Sequence, residues 1–349
     1  MLHSPWIINP SIDMAEVLSQ YGRFLPEDYR MAIESMYVPS PFEEDLTPTG
    51  RRFVIVGGKD NPTLFSRSIF LCAKLSGAES INVRSTHLDE TFMAQNVLEY
   101  HAGDIDNRTF VPMMDGLSVN DDWCKALENA TDIVVFGTND AMNTYREYES
   151  VDRRVWEYGE KFSFGIVRVE DLSMMMINGI CFDFVSYYGE GRLAPKFYFV
   201  IGEITNKKII EFNNNMLAIY KLFIEQYRNK LPLTRKSNYT QQYIESNYVS
   251  DYVRVGNIGD KDLFDSLYGD VRLIQVDSLD EINAFIVKYR DSISTVAANV
   301  HDDWDSLDML DDHMLPRICQ IGDMQFPDFF EQYDALDDFN IYVNLDEEY

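Results

Sequence analysis

Arg51-Arg-Phe-Val-Ile-Val-Gly-Gly58 is the stretch that decides the fold. Its apolar run closes on two glycines, which reads as a strand running into a turn. Residues 62–76 follow with apolar positions at Leu64, Phe65, Ile69, Cys72 and Leu75, a helical spacing. Ser80-Ile-Asn-Val-Arg84 then reads as a second strand and residues 88–102 as a second helix. Thr131 to Phe136 gives a third strand, stopped by Gly137, with helix signals from Asn139 onward. Strands that alternate with helices predict βαβ units and a parallel sheet.

Working outward, residues 12–36 predict two short helices joined at Pro26-Glu27-Asp28. On the other side a second alternating set begins. Ser163–Val169 reads as a strand, 171–188 as a helix, Lys196–Ile201 as a strand and 207–229 as a long helix. A helix near 238–247, a strand Val271–Val276, a helix 278–290 and a strand Ser292–Val300 continue the pattern. The acidic tail, 322–349, holds one apolar segment, Phe339–Val343, able to add a strand. The chain has no internal repeat, and the two α/β halves are expected to meet around residues 165–180.

The 349 residues, 46% hydrophobic, suffice for two such halves. A formal charge of −28 repels nucleic acid and anionic membranes, and suits a soluble protein, a salty milieu or a basic partner alike. No run approaches the ~20 apolar residues needed for a membrane span. The N-terminal MLHSPWIINP has no signal-peptide pattern, so a cytoplasmic protein or a component of an assembled particle is expected. Cys72, Cys124, Cys181 and Cys319 lie far apart, as reduced thiols do, and no metal site is expected. The acidic run His301–Asp312 lacks the glycine and terminal glutamate of a calcium loop and reads as a solvated helix face. Met174-Met-Met176 reads as flexible core packing beside Ile177 and Ile180 rather than as an acyl groove.

Several segments in order resemble the LuxC-type fatty-acyl-CoA reductases, a branch of the aldehyde dehydrogenase superfamily. They are Val54-Ile-Val-Gly-Gly-Lys-Asp-Asn-Pro62, Leu75-Ser-Gly77, Asn82-Val-Arg-Ser-Thr86, Val135-Phe-Gly-Thr-Asn-Asp140 and Tyr158-Gly-Glu-Lys-Phe-Ser-Phe-Gly-Ile-Val167. The most specific is Arg317-Ile-Cys-Gln-Ile-Gly-Asp-Met-Gln-Phe-Pro327, similar to the family's closing motif. The resemblance implies an aldehyde dehydrogenase-like α/β fold with two consecutive Rossmann-like domains. It implies an N-terminal helical segment at 1–50, a nucleotide-binding-type domain at 51–170, a catalytic-type domain at 171–325 and an acidic segment at 326–349.

The family's reaction uses a cysteine thiolate to form an acyl-enzyme, which NADPH then reduces. Its cysteine stands nine positions after an aspartate; here that aspartate is Asp183, and the ninth position is Arg192. A guanidinium remains protonated and is no nucleophile. The oxyanion position falls on Asp60, or on Asn61 with a one-residue shift, and Tyr333-Asp-Ala335 stands where the family often has His-Asp-Gly. These changes point to a pseudoenzyme: a binding or structural subunit with protein partners or a homo-oligomeric assembly, a phage virion component being one form. The alternative is an active NADPH-dependent acyl-CoA or aldehyde oxidoreductase with a displaced nucleophile, Cys181 first, although a small buried helix residue is the favoured description of Cys181. No cofactor is expected under the first reading. NADP under the second would rest on Arg84 and on the turn Gly137-Thr138-Asn139, which as a bland alternative is an ordinary glycine and N-cap.

Overall fold

The structure is a computed structural model, and it describes residues 49–57, 64–65, 68–69, 72, 76–85, 121–189, 192–219, 253–259, 271–299 and 316–327. The expected features at 12–36, 88–102, 238–247, 301–312 and 339–343, together with Asp60, Asn61 and Tyr333, lie outside them. Two compact units divide the chain, one up to Glu160 and the other from Lys161 to Pro327.

In the first unit, β1 (Arg52–Val56), β2 (Ser80–Arg84), β3 (Asp132–Phe136) and β4 (Arg154–Tyr158) form a sheet ordered β2-β1-β3-β4. Every pairing is parallel. Phe53, Val54 and Ile55 are fully buried, as expected of a parallel strand covered on both faces. The described positions of the 62–76 segment, Leu64, Phe65, Ser68, Ile69 and Cys72, are helical and buried. Helix α1 (Asp121–Asn129) packs Trp123 and Leu127 against Val54, Val56, Ile133 and Val135. Helix α2 (Asn139–Arg146) adds Met142 to that cluster.

A buried ion pair ties the start of this sheet together. Arg51 donates to Asp132 from Nε at 3.0 Å and from a terminal nitrogen at 2.6 Å. Trp156 Nε1 reaches Asp132 Oδ1 at 3.1 Å, and Thr131 Oγ1 reaches Oδ2 at 2.8 Å. The carboxylate therefore serves the chain at β1, β3 and β4 at once.

In the second unit, β5 (Phe162–Arg168), β6 (Pro195–Ile201), β7 (Val253–Gly256), β8 (Val271–Val276), β9 (Ile293–Ala298) and β10 (Arg317–Cys319) are ordered β10-β9-β5-β6-β8-β7, again all parallel. One face carries a cluster of Phe162, Phe164, Phe197 and Phe199 against Phe285 of α5 (Leu279–Tyr289). Ring pairs such as Phe199–Phe285 meet edge to face at 5.2 Å, a favoured aromatic geometry. Because Phe162 and Phe164 belong to this cluster, β5 joins the second sheet, and the units part at Glu160, ahead of the position 170 read from the sequence. Helix α3 (Met174–Val185), capped by Ser173 Oγ accepting from Met176 N, packs with α4 (Asn206–Ile219).

The methionine run on α3 departs from the expected core packing. Met176 is buried with Ile177 and Ile180, but Met174 is 54% exposed and Met175 80%. Three consecutive residues on a helix span most of its circumference, so a run cannot face one side. The described residues thus form two consecutive α/β units, each built on a parallel sheet.

Candidate functional site

The block from Asp183 to Val200 folds as the end of α3, a 3-10 turn at Ser186–Gly189, a turn at residues 192–194, and β6. Asp183 is fully buried near the C-terminal end of α3. Its Oδ2 accepts the amide of Gly322 at 2.8 Å and the hydroxyl of Tyr198; its Oδ1 accepts the amide of Met324 at 3.0 Å. Burial pushes the Asp183 carboxyl up from 3.8 to about 7, against the lowering effect of those three hydrogen bonds.

The closing motif supplies the other side. Arg317 on β10 donates to the carbonyls of Met324 at 2.7 Å, Asp323 at 3.0 Å and Phe326 at 3.2 Å. It thereby curls residues 322–326 into a loop whose amides face Asp183. Gln325 Nε2 donates back to the carbonyls of Asp183, at 3.0 Å, and Ser186. Gly322 has φ +103, a conformation that side chains resist, and a Cβ on it would stand 3.4 Å from the Cα of Gly179. The aspartate and the Arg-Gly-Met-Gln motif, 134 residues apart from Asp183 to Arg317, are parts of one hydrogen-bonded clasp.

Arg192 is buried at 6% exposure, immediately ahead of β6. Its carbonyl accepts from Ser163 Oγ at 2.6 Å, and Ser163 Oγ in turn accepts from Thr295 N at 3.1 Å. Ser163 thus pins the turn to β5 and β9. Two residues after Ser163, the ring of Tyr198 crosses Gly165; a Cβ there would stand 2.0 Å from a ring carbon. Ser163 and Tyr198 were not singled out from the sequence. Each sits inside a quoted block, and only the register between β5 and β6 reveals what they touch.

Cys181 is fully buried on α3, and burial, then the nearby Asp183 carboxylate, pushes its thiol up to about 12. Such a shift opposes the thiolate that nucleophilic attack needs. Cys319 closes β10 and is buried, and burial raises the thiol of Cys72 as well. Cys124, on α1, is the exposed cysteine. Among the described residues no group of metal-ligating side chains is gathered, and no helix is long and apolar enough to cross a membrane.

In the first unit Gly137-Thr138-Asn139 forms the turn from β3 into α2. Thr138 Oγ1 accepts from Ala141 N at 3.4 Å, and Asn139 Nδ2 donates to Glu160 Oε2 at 3.2 Å. Arg84 is buried, with its guanidinium 5.1 Å from the Trp123 ring centroid and hydrogen-bonded to Tyr145. The structure therefore brings Asp183, Cys181 and the 317–327 motif together, and places Arg192 at the head of the same β6 strand that carries Tyr198.

No protein-family model matches the chain, and no curated protein matches it in sequence. Solved structures do match in fold. A methylmalonate-semialdehyde dehydrogenase from Oceanimonas doudoroffii superposes with TM-score 0.64 and 12% identity, over 94% of this chain and 80% of that one. An acetylating aldehyde dehydrogenase from Geobacillus thermoglucosidasius gives TM-score 0.57 and 12% identity, over 95% and 79%. A Sinorhizobium meliloti 1021 protein described as a methylmalonate-semialdehyde dehydrogenase, solved with NAD, gives TM-score 0.61 and 12% identity, over 94% and 79%. The chain has the aldehyde dehydrogenase-like fold. At this identity the likeness is one of architecture, and fold alone does not carry chemistry.

Proposed function

We propose that this chain is a LuxC-like acyl-thioester reductase scaffold that has lost covalent catalysis and serves as a binding or structural subunit. The observation that carries the reading is Arg192: a buried arginine, its backbone fixed by Ser163, in the turn where the resemblance puts the nucleophile. An acyl-enzyme needs a thiolate, and an arginine offers none. The substitute, Cys181, is buried with its thiol raised to about 12, so its population of thiolate near neutral pH is small.

The nucleotide site expected by resemblance is weakened in the same way. The helix that would receive a pyrophosphate begins Asn139-Asp140, and Glu160 is hydrogen-bonded to Asn139. Two carboxylates at that helix start oppose a phosphate anion that the helix dipole would otherwise favour. Arg84 spends its guanidinium on Trp123 and Tyr145. A second reading, in which NADP remains a ligand without covalent chemistry, is favoured by the fold likeness to a protein solved with NAD. The charge of −28 suits a basic protein partner, since complementary potential steers association.

The test is incubation of the protein with a long-chain acyl-CoA and NADPH. Neither a hydroxylamine-sensitive adduct by intact mass nor NADPH consumption is expected. An NADPH fluorescence change on titration, without an adduct, would establish the second reading.

A further inference from the structure

We propose that Asp183, Tyr198 and Met324 form a proton-operated hydrogen-bond relay that fastens the 320–327 loop to α3 and loosens it on proton uptake. The geometry offers two arrangements. With the Asp183 carboxylate ionised, the Tyr198 hydroxyl donates to Oδ2, while the Gly322 amide donates to the same oxygen at 2.8 Å and the Met324 amide to Oδ1 at 3.0 Å. The same Tyr198 hydroxyl lies 3.4 Å from Met324 Sδ, a second acceptor within reach of its proton.

Proton uptake uses both. One proton from solvent adds to Asp183 Oδ2, forming a single O–H bond and breaking none. That new O–H donates to the Tyr198 oxygen, and Tyr198 turns its own proton onto Met324 sulfur. Oδ1 keeps the Met324 amide. Oδ2, now a neutral hydroxyl oxygen, is a poorer acceptor, and the Gly322 amide loses its charge-assisted bond. Gly322 is partly exposed and Asp323 exposed, so water can take over that amide.

The surroundings keep the proton affinity near neutrality. Burial opposes ionisation of Asp183, and Asp323 of the loop adds a like charge. Burial, then the Asp183 carboxylate, raises the Tyr198 hydroxyl well above its ordinary value, with Cys319 from β10 and Cys181 from α3 adding to them, so it stays a neutral donor. Arg317 of β10 directs its guanidinium to the loop carbonyls of Asp323, Met324 and Phe326. Lys196, two residues before Tyr198 on β6, is itself held down by burial. The clasp therefore contains a group that can change charge while weakening the bond of one amide, that of the partly exposed Gly322.

Amide hydrogen exchange at Gly322 and Met324, corrected for the intrinsic pH dependence, tests this between about pH 5.5 and about pH 8.5. Protection at Gly322 is expected to be about tenfold greater at the higher pH, the size of one lost charge-assisted hydrogen bond, with Met324 nearly unchanged. Asp183→Asn is expected to hold Gly322 at its low, pH-independent protection. Met324→Leu, which removes the second acceptor while keeping side-chain volume, is expected to move the transition to lower pH. A Gly322 amide whose corrected protection is flat across the range overturns the relay. So does an unchanged transition in Met324→Leu, which remains informative if Asp183→Asn does not fold.

Discussion

An alanine at position 165 would bring a Cβ to 2.0 Å from the Tyr198 ring, and neither β5 nor β6 has room to move aside within a parallel sheet. Gly165→Ala is expected to destabilise the second unit by at least about 1–3 kcal/mol, the usual cost of overpacking, read by chemical denaturation. Asp183 makes a pH prediction at the same scale. Its carboxyl is raised in the folded state, from 3.8 to about 7, so the folded protein binds a proton that the unfolded chain releases. The stability it contributes is fully present below about pH 4 and is lost as pH rises through about 7. Wild type is therefore expected to lose thermal stability over that window more steeply than Asp183→Asn; parallel profiles by calorimetry would contradict the assignment.

At the scale of elements, the buried Arg51–Asp132 pair joins the starts of β1, β3 and β4. Asp132→Ala removes the carboxylate that neutralises a buried guanidinium and is expected to cost about 3–5 kcal/mol. Thr138→Ala removes the cap of an exposed helix end and is expected to cost about 0.5–2 kcal/mol, nearer the lower figure given its 3.4 Å bond. Denaturant midpoints of the two variants should rank in that order. The strands legible in the sequence share one property: nearly all of their residues are buried. Strands β1, β3, β5 and β6 carry apolar runs, while β2, β8 and β9 carry apolar residues interrupted by polar ones. Helix α1 and strands β4 and β7 were not read. In β4, Arg154-Val-Trp-Glu-Tyr158, only Tyr158 is buried, and an edge strand with charges has no apolar run to announce it. Strand β7 is four residues long, with Arg254 and a terminal glycine.

For the molecule as a whole, the order of motifs identified the aldehyde dehydrogenase-like fold although identity to its structural neighbours is only 12%. The reason is physical. Asp183, Gly322, Met324, Gln325 and Arg317 form one hydrogen-bonded clasp, so residues that hold the second unit together stand in the sequence as a spaced set. What the sequence could not supply was which side chains meet across the frame, Ser163 with Arg192 and Tyr198 with Asp183, because those contacts depend on strand register. The acidic exterior, at −28, adds an expectation for association: binding to a basic partner should weaken as salt rises, and a salt-independent affinity would assign it to apolar contacts instead.

The proposed absence of covalent chemistry at Arg192 is tested most directly by intact mass spectrometry of the wild-type protein after incubation with a long-chain acyl-CoA. The expected spectrum shows the unmodified chain alone. A stoichiometric acyl adduct removed by hydroxylamine would contradict it.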